Sequence, residues 1–170
     1  MIGGPVEPAT RKVIHTHGAM VGVVEEVRDH PNGQRIWLAL VRWGTDDRHQ
    51  IVFGGGYELG PGELVPVAPP GSRITVESGA PSLRVRKMRA RRYRGERSHG
   101  MLCSLAELGW VTECPDEVAT LRDLPVGASL DEVPAERRVD VVAPRLVGFV
   151  RTAPRRESAG HELALMDANN

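Results

Sequence analysis

Between Ser82 and Ser98 the chain carries eight cations, Arg84, Arg86, Lys87, Arg89, Arg91, Arg92, Arg94 and Arg97, against one acid, Glu96. An arginine guanidinium is planar, permanently charged, and able to pair with two phosphate oxygens or stack on a flat ring. Like charges at this density repel one another, a cost that a surface without a partner has little reason to bear. The chemistry indicated is contact with a polyanion. From Glu107 to Asp140 the balance reverses to nine acids against three arginines, so the chain reads as bipolar although its net charge is zero. A zero total weighs against a nucleic-acid partner, but here the distribution outweighs the total. The excess of arginine over lysine, 20 to 2, carries no such weight, because a GC-rich genome produces it too.

Other reactive residues form weaker constellations. His15 and His17, with His30 and His49 elsewhere, have no carboxylate or cysteine cluster at zinc-site spacing, so solvated or core histidines are expected and no metal. Gly54-Gly55-Gly56 precedes neither a helix nor a Lys-Ser/Thr pair, so it is no phosphate-binding fingerprint. Ser98 and His99 are adjacent, and neighbours on a strand point to opposite faces, so they make no nucleophile and base. Without a convergent acid, base or metal set, the expectation is a protein that is not an enzyme and uses no cofactor. Cys103 and Cys114 are expected to be reduced thiols. Tyr93, among the arginines, suits base stacking or an ordinary half-buried strand position.

The elements that position these residues are short. Ala19 to Asp29 is valine-rich, with Val21, Val23 and Val27 on one side of a period-two pattern, which predicts a strand. His30-Pro31-Asn32-Gly33 stops it and reverses the chain, so Arg35 to Trp43 should return as a hairpin. Gln50 to Phe53, Leu64 to Ala68 and Ile74 to Val76 predict further strands between glycine and proline turns. Leu83, Val85, Met88 and Ala90 alternate with the cations but slip by one at Lys87, which predicts a β-bulge in one continuous basic strand. Ser104 to Gly109 has a capping serine, Glu107 three residues on and a terminal glycine, the pattern of a one- or two-turn helix. The all-β class follows, with a five-stranded Greek-key barrel of the oligonucleotide-binding type (OB-fold) and one short helix.

A chain of 170 residues, 41% hydrophobic and 26% charged, is long enough for one well-buried core with extensions. The expected organisation is an arm at 1–18, the barrel at 19–110, an extension at 111–150 that packs on the barrel or forms a dimer contact, and a mobile tail at 151–170. Val139 to Val150 predicts one or two more strands around Pro144 and is the apolar stretch through which a homodimer is expected to form. No apolar run approaches the roughly 20 residues of a membrane helix and the N-terminus lacks a secretory pattern, so a cytoplasmic location is expected.

The run from Arg94 to Ser104, RGERSHGMLCS, followed by Glu107-Leu108-Gly109, resembles the motif RG-x-x-S-x-GM-L-x-S-x-x-E-L-G of the transfer-RNA-binding domain. That domain occurs in the N-terminal region of the bacterial phenylalanyl-tRNA synthetase β subunit, at the C-terminus of some methionyl-tRNA synthetases, and in free-standing tRNA-binding proteins. His30-Pro31-Asn32 and Gln50-Ile51-Val52 agree as further landmarks, and Leu124 to Leu130 is similar to the stretch that follows the module in synthetase β subunits. The chain departs from the pattern at Gln34-Arg35 and at Tyr57.

The resemblance implies binding of folded tRNA, with delivery to an aminoacyl-tRNA synthetase or another tRNA-dependent enzyme. It makes Ser98 and Met101 the candidates for selectivity, one hydrogen-bonding a base or ribose and the other packing on a base, although Met101 suits a core position equally well. The alternative function is a protein-interaction module that docks on a synthetase or biosynthetic enzyme.

Overall fold

The computed structural model describes residues 16–44, 47–55, 57–77 and 83–152. Residues 1–15 of the expected arm, with His15, and 153–170 of the expected tail lie outside it. Within it are β1 (Met20–Asp29), β2 (Ile36–Arg42), β3 (Arg48–Gly54), β4 (Leu64–Ala68), β5 (Arg73–Glu77), β6 (Leu83–Lys87), β7 (Arg91–Tyr93), β8 (Glu96–Ser98) and β9 (Met101–Leu102). Two short helices follow, α1 (Arg138–Val141) and α2 (Val147–Arg151). The main sheet is antiparallel in the order β3-β2-β1-β4-β9, and β5–β6 and β7–β8 are separate hairpins.

The first hairpin forms where Pro31 and Asn32 stop β1, and His30 N–H bonds Ile36 O across the turn at 3.1 Å. Its register shifts between Val24 and Glu26. Val21 belongs to one core cluster and Val24 to the other, so both faces of β1 are covered, and the residue inserted after Val24 lets the half-buried Val27 pack on the same cluster as Val24. The expected single valine face is corrected accordingly.

The barrel expectation is also corrected. Five strands share one sheet, but the fifth is the two-residue β9 and no ladder joins it to β3. Two hydrogen bonds instead tie β3 to the end of β8 and the residue after it: His99 N–H donates to Gln50 O at 2.8 Å, and Val52 N–H donates to Ser98 Oγ at 2.9 Å.

The basic segment is not one bulged strand either. β6 ends at Lys87, Met88 turns inward to 4% exposure, and its N–H bonds Ser72 O at 2.8 Å before the chain enters the next hairpin. The one-residue slip at Lys87 is a strand end.

Two apolar clusters fill the interior. Val24, Ala39, Val41, Ile51, Phe53, Val65, Val67 and Leu102 form one, and Val21, Ala68, Ile74, Met88, Leu105, Trp110, Leu121, Val142 and Leu146 belong to the other. β4 feeds both, Val65 and Val67 to the first and Ala68 to the second. Each fully buried aliphatic side chain contributes roughly 1.5–3 kcal/mol.

Ser104 to Gly109 is a single hydrogen-bonded turn and goes no further. Ser104 N–H donates to Glu107 Oε1 at 2.8 Å and Glu107 N–H to Ser104 Oγ at 3.2 Å, the reciprocal capping box. The bonds Trp110 N–H to Leu105 O and Gly109 N–H to Ala106 O close its other end as a Schellman motif.

Val139 to Val150 forms no strands. It holds most of α1, a 3-10 turn at Pro144–Leu146, and α2 up to its last residue. Val141, Val142 and Leu146 are buried in the chain's own core, and Leu121 bridges β4 at Leu64 to Val142. Phe149, 38% exposed, is the large apolar side chain of this stretch that faces solvent. Among the described residues no helix is long and apolar enough to cross a membrane.

Candidate nucleic-acid interface

The RG pair makes the turn between β7 and β8. Arg91, Arg92 and Tyr93 face Ser98, Arg97 and Glu96 across the hairpin. The two central residues have positive φ, 51° at Arg94 and 90° at Gly95, the type I′ geometry whose twist matches that of the flanking strands. Glycine adopts that conformation freely, whereas a side chain there costs roughly 1–3 kcal/mol, so Arg94 must be held by its surroundings.

The first turn of the chain holds it. His30, 3% exposed, accepts at Nδ1 from Asn32 N–H at 2.9 Å, so its hydrogen sits on Nε2, which donates to Tyr93 O at 2.8 Å. Asn32 Nδ2 donates to Arg94 O at 3.2 Å, and Arg94 Nη1 returns a longer bond to Asn32 O at 3.4 Å. On the other arm, Gln50 Nε2 donates to Arg97 O at 2.8 Å and to Glu96 Oε1 at 3.2 Å. The segment's one acid is therefore engaged by an amide, and among the described residues it pairs with none of the arginines. The three landmarks HPN, QIV and RGERS form one hydrogen-bonded unit.

Around this clamp Arg86, Lys87, Arg89, Arg91, Arg92, Arg94 and Arg97 are exposed. Among the described residues no carboxylate lies within ion-pair distance of any of them, whereas Arg42 and Arg48 both meet Glu25, Arg137 meets Asp140, and Arg145 meets Glu117. Arg92 Nη1 donates to Gly95 O at 3.1 Å, which bends that side chain over the turn. Arg84 stands in β6 opposite Val76; its side chain lies outside the described residues. Tyr93, at 42% exposure, presents an aromatic ring among the arginines.

Ser98 and Met101 sit differently from the cations. Ser98 is 1% exposed, and its hydroxyl accepts from Val52 N–H and donates to Gly100 O at 3.0 Å. Both functions of the hydroxyl are thus used inside the protein, where it fixes the approach of β8 to β3. Met101 pairs with Ala68 and packs, half-buried, on the core. Gly100 is required between them: φ is +108°, and a Cβ would stand 2.5 Å from Ala68 O.

A ring cluster that sequence reasoning missed lies beside Arg97. His49 and His99 stack with centroids 4.2 Å apart and planes 17° apart, and Trp43 lies 4.8 Å from His49 and 6.3 Å from His99. Partial burial first, then the charges of His49 and Arg97, hold His99 below the ordinary imidazole value, so it is neutral near pH 7. His17, by contrast, is exposed and lies 3.8 Å from Asp131. Burial first, then the Glu107 charge, push the Cys103 thiol well up, which leaves it unreactive. Among the described residues no three His, Cys, Asp or Glu side chains could hold a metal ion.

The chain is homologous to a segment of phenylalanine–tRNA ligase β subunits, which bears out the resemblance drawn from its motif. It is 38% identical over 90 residues to that of Chlorobium luteolum, covering 53% of this chain and 11% of the relative. It is 34% identical over 117 residues to that of Salinibacter ruber, covering 68% and 14%. The chain therefore spans only about an eighth of these relatives' length. No known protein-family profile matches it. A solved structure, the C-terminal domain of Plasmodium vivax p43, aligns over 70% of this chain and 61% of its own at 20% identity, with a TM-score of 0.45.

Proposed function

We propose that this protein is a tRNA-binding module that grips folded tRNA through the cations of the clamped β7–β8 hairpin and its approach, Arg84 to Arg97. The observation that carries this reading is the clamp itself. His30, Asn32 and Gln50 hold rigid a turn that projects arginines with no acidic partner among the described residues. Such pre-organised cations suit phosphates, and contacts to phosphate supply affinity without choosing a sequence. Homology to a tRNA ligase subunit supports tRNA as the polyanion.

The bonds from Gln50 and Val52 to the Ser98–His99 segment support reading the sheet as a nearly closed OB-type barrel. We read it as a non-catalytic module of the cytoplasm that hands tRNA to a synthetase or other tRNA-dependent enzyme, and homology to a tRNA ligase subunit supports a role in translation. Met101 remains a candidate base contact by its half-exposure. Ser98 would act from beneath, by positioning the hairpin. A homodimer through Val139–Val150 has Phe149 as its exposed apolar anchor, and a light-scattering mass of two chains would establish it.

The test is a gel-shift titration with total tRNA across a range of salt. Binding should weaken steeply as salt rises, because each neutralised phosphate releases counterions. A flat salt response or no shift would discard the proposal and favour a protein-docking role.

A further inference from the structure

We infer that Trp43, His49 and His99 form a stacking site for an unpaired nucleobase, next to the backbone-gripping arginines. This extends the tRNA-binding reading and rests on it. Three observations carry it. First, His49 and His99 stack with 17° between their planes, and Trp43 lies 17° from the plane of His99 and 33° from that of His49. Such planes form a platform of the kind on which bases stack without regard to sequence.

Second, the polar edges are open. Among the described residues none of the ring nitrogens of Trp43, His49 or His99 has a hydrogen-bond partner, and none of them is a buried unsatisfied atom. Buried tryptophan and histidine usually find partners, so these nitrogens reach water and are free to meet a base edge. Trp43 packs on the core cluster of Val41, Ile51 and Val65. The indole thus anchors the stack, and both imidazoles are half-buried.

Third, the site lies where a bound strand would pass. His99 N–H bonds Gln50 O, while the Gln50 side chain bonds Arg97 O. A phosphate on Arg97 would thus place its neighbouring base within reach of His99. Bases inside a duplex have both faces covered, so the ligand is a splayed nucleotide from a loop or single-stranded end.

The test follows the imidazole resonances of His49, His99 and the buried His30 in the wild-type protein, by nitrogen-detected NMR, on addition of tRNA or of a short oligouridylate. His49 and His99 should shift with both ligands, and His30 should not. In parallel, the double variant His49→Ala/His99→Ala should lose about 5- to 150-fold in tRNA affinity, the range for one stacked base, with an unchanged salt slope. The double variant must keep the wild-type melting temperature; if it does not, the wild-type NMR arm decides. Shifts confined to the amides of Arg91 to Ser98 would overturn the stacking site and leave the tRNA reading intact. No shift anywhere would remove both.

Discussion

The hairpin clamp should fail locally in His30→Ala. The imidazole is 3% exposed and bridges two main-chain groups, Asn32 N–H at 2.9 Å and Tyr93 O at 2.8 Å. Deleting a partner of a buried polar group costs about 1–3 kcal/mol, whereas a bond that water can replace costs only about 0.5–1.5. Asn32 and Tyr93 are both exposed, so the smaller figure applies at each. The total is about 1–3 kcal/mol, borne by the hairpin because both bonds end on its turn or on its tether. Hydrogen exchange reads this directly: amides from Arg91 to Ser98 should open about 5- to 150-fold faster, since each 1.4 kcal/mol is tenfold. Amides of Leu38 to Val41 in β2 should change far less. Affinity for tRNA should fall with the loss of the rigid turn. An equal loss of protection in β2 and in the hairpin would refute the reasoning, because His30 would then be an ordinary core residue.

Replacing Arg91, Arg92 and Arg94 together by alanine should abolish tight tRNA binding and lower the slope of log affinity against log salt by about 2–3, at roughly 0.7–0.9 per phosphate contact; circular dichroism should show the fold retained. Gly100→Ala should destabilise more than Gly95→Ala in thermal melts, because its Cβ would meet Ala68 O at 2.5 Å, whereas at Gly95 the nearest atom is Asn32 Nδ2 at 3.9 Å. Burial first, opposed by the bonds from Ser104, raises the Glu107 carboxyl above its usual range. The folded state then holds the proton more tightly than the unfolded state, so this group's contribution to stability falls as pH rises from the ordinary carboxylate range through the raised value. Glu107→Gln should flatten that part of a melting-temperature profile taken between about pH 4 and 7, while its amide oxygen still caps Ser104 N–H.

Several elements were legible because their signals are local. The Pro31-Asn32 turn, the strand from Leu64 to Ala68 and the Ser104/Glu107 capping box each depend on residues within a few positions of one another, and each is present. What failed was decided at a distance. Nothing local distinguishes a bulge at Lys87 from a strand end; the outcome follows from Met88 burying itself and bonding Ser72. The valines of Val139 to Val150 favour strands by propensity, yet that preference is largely a matter of fitting a half-buried sheet surface. Among the described residues their pairing is limited to the isolated bridge of Val142 to Leu121, and burial of Val141, Val142 and Leu146 supports single helical turns that would not persist alone.

The candidate site shows the same division. The arginines and the RG turn could be read from composition and spacing, but the reason that HPN and QIV accompany RGERS could not. His30 and Tyr93 are 63 residues apart, and Gln50 and Arg97 are 47 apart. Their hydrogen bonds convert three separated motifs into one support for a strained turn. The same distance hid the stacked rings, because Trp43, His49 and His99 meet only after β3 docks against the Ser98–His99 segment. It also changed the meaning of Ser98. With its hydroxyl shared between Val52 N–H and Gly100 O, Ser98→Ala should cost about 1–3 kcal/mol of stability through the unpaired Val52 N–H. Its effect on tRNA affinity should then vanish under conditions where the variant is fully folded, and a persistent loss of affinity there would restore Ser98 as a direct contact.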